Sequence, residues 1–317
     1  MKIAVLNECF LSNDHITRLK KLGDVVIHGN TTNDDDAIQK LKDADIAIVD
    51  GFMCPLTARI INSTDKLKLI VLPHTGYFMV DLKAAEVKGI KVANAPGFSK
   101  QAVAEMVIGL MFAVNRKIPL MDRDMRSNPF DSDPGNLEHQ RKYWGFDIKG
   151  RTMGVIGLGR IGSTVATLAL GLGMKVIAHT RTAKSMDGVE MVSKDELLKR
   201  SDVVSINVTS GVETKNLIST KELALMKPTA ILINVDQAAQ VDTEALYEAL
   251  KNNKIGGAGL DQVGGVTKGH PILGLDNVVF TGHAGSSTNE SFRVTLPELV
   301  VSAIEGFVQG NPKNLVN

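Results

Sequence analysis

Three glycines with a fixed spacing lie near the middle of the chain, at Gly157, Gly159 and Gly162. They follow an apolar run with the pattern of a strand, residues 152–156, and they open a stretch with the pattern of a helix. In such a unit the first glycine allows a tight turn, the second lets the backbone approach a pyrophosphate, and the third lets the helix pack on its strand. The motif therefore predicts phosphate binding at the helix N-terminus. An ordinary glycine-rich turn between a strand and a helix is the alternative.

The end of the next strand indicates which dinucleotide binds. NAD sites usually carry an acidic residue there, roughly 20 residues after the first glycine, whereas an arginine suits the 2′-phosphate of NADP. Here the chain has His179, Thr180, Arg181 and Thr182 without a carboxylate, and Lys184 follows. We therefore expect NADP(H) to be preferred, with NAD(H) as the other candidate. The alternative is that Arg181 is a solvent-exposed charge and NAD binds weakly.

Length and composition set limits on the rest. The 317 residues exceed what one core usually organises and predict two domains. A net charge of +1 argues against partners such as nucleic acid or an anionic membrane. Cys9 and Cys54 are too few for a disulfide framework and fit a reducing compartment. The first residues lack the long apolar core of a signal peptide. We therefore expect a cytoplasmic protein.

Short β-branched runs alternate with amphipathic helical stretches from end to end, which is typical of parallel sheets with crossover helices. Strands are predicted at 3–6, 25–28, 46–49, 67–72, 91–93, 152–156, 175–178, 203–208, 230–235, 256–260 and 278–281. Helices are predicted at 161–172, 194–200, 243–251 and 290–308, and a long one from about 99 to 125 is broken at Pro119. Residues 127–145 are predicted to form a loop or arm. The fold class is α/β with two doubly wound, Rossmann-like or flavodoxin-like domains and a ligand cleft between them.

The order of several motifs resembles the D-isomer-specific 2-hydroxyacid dehydrogenase family, which includes glyoxylate and hydroxypyruvate reductases. The resemblance covers nearly the whole chain. It is carried by Ala95-Pro96-Gly97, Val103-Ala104-Glu105, the glycine motif within 154–166, Leu225-Met226-Lys227-Pro228, Ile233-Asn234, Val241-Asp242-Thr243, Gly259-Leu260-Asp261 and Gly282-His283-Ala284-Gly285.

The resemblance implies a substrate domain formed by residues 1–98 and 288–317, and a dinucleotide-binding domain formed by 99–287. It also implies a homodimer through the long helix and the arm near 99–145, a small-molecule substrate and no metal ion. In such enzymes a hydride passes between the nicotinamide and the carbon of a 2-keto acid while a histidine moves the proton.

The family's site residues fall on definite positions of this chain. His283 matches the histidine, Asp261 matches the acid that faces the cofactor, and the turn His74-Thr75-Gly76-Tyr77 matches the loop whose N–H groups receive a carboxylate. The cofactor residues implied are Gly157, Gly159, Arg160, Ile161, Gly162, Thr180, Arg181, Thr182, Val208, Thr209, Thr214, Val235, Asp261, His283 and Gly285.

Two of the three catalytic side chains of the family are replaced. Gln237 stands at the arginine position, and Val266 stands at the glutamate position in a loop whose register is less well fixed. A charge-assisted hydrogen bond contributes about 1.5–3 kcal/mol, and loss of an oxyanion donor lowers turnover about 10²–10³-fold. Without a carboxylate partner, His283 is expected to be mostly neutral near pH 7. Reduction of simple 2-keto acids should therefore be slow.

Asp236 is acidic where the family usually has a small residue. If its side chain faces the cleft, it disfavours an anionic reacting group and points to a neutral ketone, an aldehyde or a cationic imine. A solvent-facing carboxylate is the alternative. At the level of function, an NAD(P)-dependent oxidoreductase is the main hypothesis, and a dinucleotide-binding regulator that lost its activity is the other.

Overall fold

The computed structural model describes residues 1–7, 9–31, 33–127, 140–182, 184–209 and 211–317. Within them the chain forms two compact units, residues 1–99 with 287–317 and residues 100–286. The strands are Lys2–Val5 (β1), Asp24–Ile27 (β2), Ile46–Ile48 (β3), Leu69–Val71 (β4), Lys91–Ala93 (β5), Thr152–Ile156 (β6), Lys175–His179 (β7), Val189–Met191 (β8), Val203–Ile206 (β9), Ile231–Asn234 (β10), Gly257–Leu260 (β11) and Val278–Phe280 (β12). The helices are Asn13–Leu22 (α1), Asp34–Leu41 (α2), Ala58–Asn62 (α3), Leu82–Val87 (α4), Lys100–Asn115 (α5), Ile118–Ser127 (α6), Arg160–Gly171 (α7), Lys194–Arg200 (α8), Thr220–Leu223 (α9), Thr243–Lys251 (α10) and Leu296–Val308 (α11).

The first unit contains a parallel sheet in the order β2-β1-β3-β4-β5. One apolar core packs residues of α2, α3 and α4 on the sheet, and a second core packs residues of α1 and α11 on it. Strands covered on both faces must be apolar throughout, which explains their near-continuous β-branched runs. The strand order is the flavodoxin-like one, and it reverses between β1 and β3.

The second unit contains a parallel sheet in the order β12-β11-β10-β9-β6-β7-β8. Residues of α5 and α7 belong to one core on this sheet, and residues of α8 and α10 belong to the other. This is the Rossmann order with one added strand, and it reverses between β6 and β9. Ligands of open α/β sheets bind outside the carboxyl ends of the strands at such a reversal. The predicted class of two doubly wound parallel-sheet domains is thus confirmed.

Six helix starts carry a polar side-chain cap, and the start of α7 does not. The side chain before the helix accepts a hydrogen bond from a first-turn N–H at Ser12 (α1), Asn33 (α2), Thr57 (α3), Asp81 (α4), Ser193 (α8) and Asp242 (α10). Helix α7 instead begins after Gly159, which has no side chain to cap it. Its N-terminal N–H groups are therefore left for another acceptor.

The structure corrects three details of the sequence prediction. The long helix is broken at Arg116 and Lys117, where Lys117 has a φ of 50°, and Pro119 lies in the first turn of α6 instead of at the break. A proline is well tolerated in a first turn, where its missing N–H would be unpaired anyway. The predicted last helix opens with a π-helical turn at Glu290–Thr295. The short edge strand β8 was not predicted because it is mostly exposed and lacks an apolar pattern.

The predicted loop or arm over 127–145 falls mostly on residues 128–139, which lie outside the described residues. In the part of the chain that is described, no helix combines the length and apolar character needed to cross a membrane. The same part contains no group of three or more His, Cys, Asp or Glu residues that could hold a metal ion.

Candidate coenzyme and catalytic site

The glycine loop between β6 and α7 has the geometry of a phosphate-binding turn. Gly157 has a φ of 92°, and a Cβ there would lie 2.3 Å from the carbonyl oxygen of Asn207. A Cβ at Gly162 would lie 1.9 Å from the carbonyl oxygen of Gly157. Gly159 differs, because a Cβ there meets nothing within 4 Å. The backbone at Gly159 thus borders open space that a phosphate can enter closely.

The N-terminus of α7 provides donors for that space. The backbone N–H groups of Arg160 and Ile161 donate to no acceptor among the described residues, and Gly159 supplies no cap. Unpaired N–H groups and the positive end of the helix dipole both attract an anion. This arrangement fits the pyrophosphate of a dinucleotide, which Gly157, Gly159, Arg160, Ile161 and Gly162 would hold.

Two cations lie beside this loop. Arg181 follows β7, its side chain is 83% exposed, and its guanidinium forms an ion pair with Glu213. The ammonium group of Lys184 donates to the carbonyl oxygen of Leu158 in the glycine loop, at 2.9 Å. Thr180 is half-buried and Thr182 is exposed. The position of Arg181 is the predicted one, whereas its partner Glu213 was missed, since no spacing rule relates residues 181 and 213.

The residues after β9 border the same end of the sheet. The carbonyl of Val208 accepts a hydrogen bond from the side-chain amide of Gln240, at 2.8 Å. Thr214 uses its hydroxyl locally, because it donates towards the carbonyls of Thr209 and Gly211, at 3.1 Å each. Two buried amide oxygens, Asn207 Oδ1 and Gln240 Oε1, accept no hydrogen bond from the described residues. They remain available to donors of a bound molecule or water.

Asp261 organises the loop that carries His283. It is 1% exposed, and its carboxylate accepts hydrogen bonds from the Thr281 hydroxyl at 2.5 Å and from the N–H groups of Ala284 and Gly285 at 2.9 Å each. His283 itself is exposed and has a φ of 62°. A non-glycine residue in the left-handed region is uncommon and marks a backbone held in place by its surroundings. The orientation of Asp261 towards a cofactor stays a prediction.

His283 has no carboxylate partner among the described residues. The segment 262–270 contains no Asp or Glu, so the prediction that the family's glutamate is absent does not depend on the register chosen for this loop. Val266 packs against the apolar core of the second unit. The nearby imidazole of His270 is already paired, since its Nε2 lies 2.9 Å from the carboxylate of Glu244.

The segment after β10 contains Gln237, which is predicted to stand at the family's arginine position. Val235 is buried, Asp236 is half-buried and Gln237 is exposed. The carboxylate of Asp236 accepts a hydrogen bond from Gln240 at 3.0 Å, and the backbone N–H of Asp236 donates to Asn234 Oδ1 at 3.1 Å. Burial raises the pKa of Asp236, while hydrogen bonds from Gln240 and the Gln237 backbone oppose the shift. Asp236 is therefore not the fully solvated carboxylate of the alternative reading.

The raised pKa of Asp236 gives a pH-dependent stability prediction. Because the folded state binds this proton more tightly than the unfolded state, the contribution to stability is present below the unfolded pKa of about 4 and lost as pH rises through the folded pKa. We expect the melting temperature of Asp236→Asn to rise relative to the parent as pH increases over this range. Thermal melts of both proteins at each pH give the difference in melting temperature. The effects of the other titrating groups are common to both proteins and cancel in this difference. A difference that does not change with pH contradicts the prediction.

In the first unit, His74 is buried and fixes the loop that follows β4. Its Nε2 accepts from the N–H of Gly51 at 3.2 Å, and its Nδ1 lies 2.6 Å from the carbonyl oxygen of Gly76. Burial lowers the pKa of His74. Both ring nitrogens are thus engaged with the backbone, which makes His74 a neutral positioning residue rather than a free ligand.

The loop held by His74 exposes donors and aromatic rings. The N–H groups of Thr75, Gly76 and Tyr77 donate to no acceptor among the described residues. Phe52 and Phe78 are 62% and 80% exposed, and their rings lie 5.8 Å apart. The loop therefore offers several backbone donors for an anion beside an apolar surface.

Comparison with known proteins agrees with this geometry. The model of the family described as "D-isomer specific 2-hydroxyacid dehydrogenase, NAD binding domain" matches residues 108–285. A glyoxylate reductase of Thermococcus litoralis is 38% identical over 88% of this chain and 86% of that protein. A D-3-phosphoglycerate dehydrogenase of Methanocaldococcus jannaschii is 35% identical over 97% of this chain, which spans 58% of that protein. A solved acyclic imino acid reductase in complex with NADPH and D-Arg is 34% identical, with a TM-score of 0.87 and complete coverage of both chains.

The fold, the glycine loop and these similarities together define an oxidoreductase that uses a nicotinamide dinucleotide and acts on a small molecule. The chain belongs to the D-isomer specific 2-hydroxyacid dehydrogenase family, as the motifs predicted. The alternative of an inactive regulator receives no support from the relatives.

Proposed function

We propose that this protein is an NADP(H)-dependent reductase whose preferred substrate is a protonated imine of a 2-keto acid. The observation that carries the proposal is the replaced catalytic set. Gln237 stands at the family's arginine position, the half-buried carboxylate of Asp236 precedes it, and 262–270 holds no acidic partner for His283. The structural similarity to an enzyme described as an imino acid reductase, bound to NADPH, supports the same class.

The chemistry of an iminium ion suits such a site. When bound, the reduced nicotinamide supplies a hydride. Addition of hydride to a protonated C=N carbon moves the C=N electron pair onto nitrogen and gives a neutral amine, so this step needs no proton donor. Reduction of a ketone instead creates an alkoxide, which a cation and a proton donor must stabilise. Among the described residues His283 has no carboxylate to orient it as a proton donor, and hydride addition to the imine does not need that donor.

The charges of the site favour the same substrate. Gln237 offers one neutral amide where the family offers a guanidinium, so the site loses positive charge. Asp236 adds a carboxylate next to it, and a cationic C=N group is the complement of that charge. Separately, the unpaired N–H groups of Thr75, Gly76 and Tyr77 in the first unit are suited to receive a carboxylate.

The cations beside the glycine loop support NADP(H) as the coenzyme. Arg181 follows the end of β7, and Lys184 donates a hydrogen bond to the glycine loop. The sequence has no acidic residue at the end of β7 that could accept a hydrogen bond from a ribose 2′-hydroxyl. A guanidinium matches the geometry of a phosphate with two parallel hydrogen bonds.

The proposal is tested by NADPH consumption with a 2-keto acid in the presence and absence of methylamine, which forms the imine in solution. Neutral aldehydes and ketones form the third arm. We expect turnover that depends on the amine. Equal rates without amine would identify an ordinary keto-acid reductase, and turnover of neutral carbonyls alone would identify a carbonyl reductase. No turnover with any substrate, despite coenzyme binding, would favour a regulator.

Restoring the family's catalytic residues should change the substrate class. We expect Gln237→Arg/Val266→Glu to raise reduction of 2-keto acids by about 10²–10³-fold, because it restores an oxyanion donor and a partner for His283. The same variant should lower amine-dependent turnover, since the new guanidinium repels a cation. Steady-state rates with and without methylamine measure both effects. The single Gln237→Arg variant serves as the matched control, and unchanged keto-acid rates in both would contradict the assignment of these positions.

A further inference from the structure

The ion pair between Arg181 and Glu213 connects segments that lie on either side of the glycine loop. Arg181 follows the carboxyl end of β7, and Glu213 lies in a short 3-10 turn, Val212–Thr214, after β9. In the sheet β9 and β7 are the two neighbours of β6, and β6 leads directly into the loop that begins at Gly157. The pair therefore joins residues on both sides of the segment that would hold the coenzyme phosphates.

The side chains of this ion pair have few other interactions among the described residues. The side chains of Arg181 and Glu213 are 83% and 75% exposed, and neither makes another side-chain hydrogen bond among the described residues. An ion pair so exposed is weak, so it can exchange partners at small cost. A guanidinium binds a carboxylate or a phosphate with the same planar set of donors.

We infer that Glu213 is a specificity-determining residue that competes with the coenzyme 2′-phosphate for Arg181. The inference rests on the proposed preference for NADP(H). In the free protein Arg181 pairs with Glu213. On binding of NADPH the guanidinium turns to the 2′-phosphate, and Glu213 is left as a nearby like charge. NADH has no 2′-phosphate, so its binding leaves the pair intact. Glu213 thus narrows the difference in affinity between the two coenzymes.

A different role for Glu213 makes the opposite prediction. The end of β7 has no acidic residue, and Glu213 could replace one by accepting from the ribose 2′-hydroxyl of NADH. In that case removal of its charge weakens NADH binding. The effect on NADH therefore separates a competitor for Arg181 from a ligand of the ribose.

The experiment measures dissociation constants of NADPH and NADH for the full chain by titration calorimetry. For Glu213→Gln we expect NADPH to bind about 3- to 10-fold more tightly, with NADH unchanged, because the competing and repelling charge is gone. For Arg181→Gln we expect NADPH to bind about 10- to 100-fold more weakly, again with NADH unchanged. In the double variant, Glu213→Gln should have a smaller effect than in the parent.

The matched control is Glu190→Gln, which removes the same charge from another exposed pair, since Glu190 binds Arg200 at 2.7 and 2.8 Å. It should change neither constant. The probes 2′,5′-ADP and 5′-ADP repeat the comparison without the nicotinamide. Unchanged NADPH binding in Glu213→Gln, or weakened NADH binding, overturns the inference while the effect of Arg181→Gln still supports NADP(H). If Arg181→Gln also leaves the dissociation constant of NADPH unchanged, the proposed preference for NADP(H) is wrong as well.

Discussion

Replacing Gly159 by aspartate is expected to abolish coenzyme binding while leaving the fold intact. Gly159 has a φ of −78° and a ψ of −161°, which any residue adopts, and a Cβ there meets nothing within 4 Å. Aspartate is a preferred residue before a helix and interacts favourably with the helix dipole, so stability should be equal or slightly higher. Its carboxylate, however, occupies the space predicted for the pyrophosphate and pairs with the N–H groups that would bind it.

The expected loss is large because at least one charge-assisted hydrogen bond disappears and a repulsion replaces it. We expect NADPH and NADH affinity to fall by about 10²-fold or more, from a loss of about 3 kcal/mol. Titration calorimetry and thermal melts of the same preparation measure binding and stability together. Parental affinity in Gly159→Asp would refute phosphate binding at this helix.

Two variants isolate the cause. Gly159→Asn has nearly the same shape as aspartate without its charge, so it should weaken binding less. Gly171→Ala lies at the other end of α7, and its Cβ also meets nothing within 4 Å. Gly171→Ala should leave coenzyme binding unchanged, because it lies far from the N-terminus of α7. Because it removes a helix-destabilising glycine, it should not lower stability. By contrast, a Cβ at Gly162 would collide with the Gly157 carbonyl, so substitution there confounds binding with folding.

Replacing His283 by glutamine is expected to distinguish the substrate classes. General acid–base catalysis contributes about 10²–10⁴-fold, so carbonyl reduction should fall by that factor. Reduction of a protonated imine should fall much less, because hydride addition to it produces no alkoxide to protonate. Titration calorimetry measures coenzyme affinity separately for the same variant, because His283 is also among the expected coenzyme residues.

The measurement compares turnover of a neutral aldehyde with amine-dependent turnover of a 2-keto acid, each for the parent and His283→Gln. The Gln237→Arg/Val266→Glu background provides a second, carbonyl-directed reference in which the loss should be largest. Equal losses for both substrates would mean that the histidine acts in imine reduction as well. Unchanged turnover of both substrates would mean that His283 is not a catalytic residue.

Much of the fold followed from local patterns. Buried parallel strands must be apolar on both faces, and this made β6 and β10 recognisable as continuous runs. The boundaries of α8 and α10 were predicted correctly because Ser193 and Asp242 cap their first turns. Strand β8 escaped prediction because an exposed three-residue edge strand carries no periodic signal. The break before α6 was misplaced because Lys117, not proline, adopts the unusual backbone conformation.

Some residues of the candidate site could also be predicted from the sequence, and others could not. Gly157 and Gly162 were predictable because a side chain at either position would collide with the backbone, and Gly159 was predictable from its fixed spacing between them. The replacements at Gln237 and in 262–270 were predicted from residue types alone, and they stay predictions. The role of Asp261 in holding the His283 loop was not, because hydrogen bonds to Ala284 and Gly285 join residues on separate strand ends.

The sequence by itself determined the two-domain α/β architecture and the glycine turn between β6 and α7, and it predicted the altered catalytic set, because these depend on residue types within short segments. Only the tertiary structure decided that His74 is a buried positioning residue, that Asp236 is partly desolvated, and that Glu213 pairs with Arg181. These features depend on burial and on contacts between residues distant along the chain. Parallel sheets bring the ends of distant strands to one edge, and no local pattern encodes which side chains then meet.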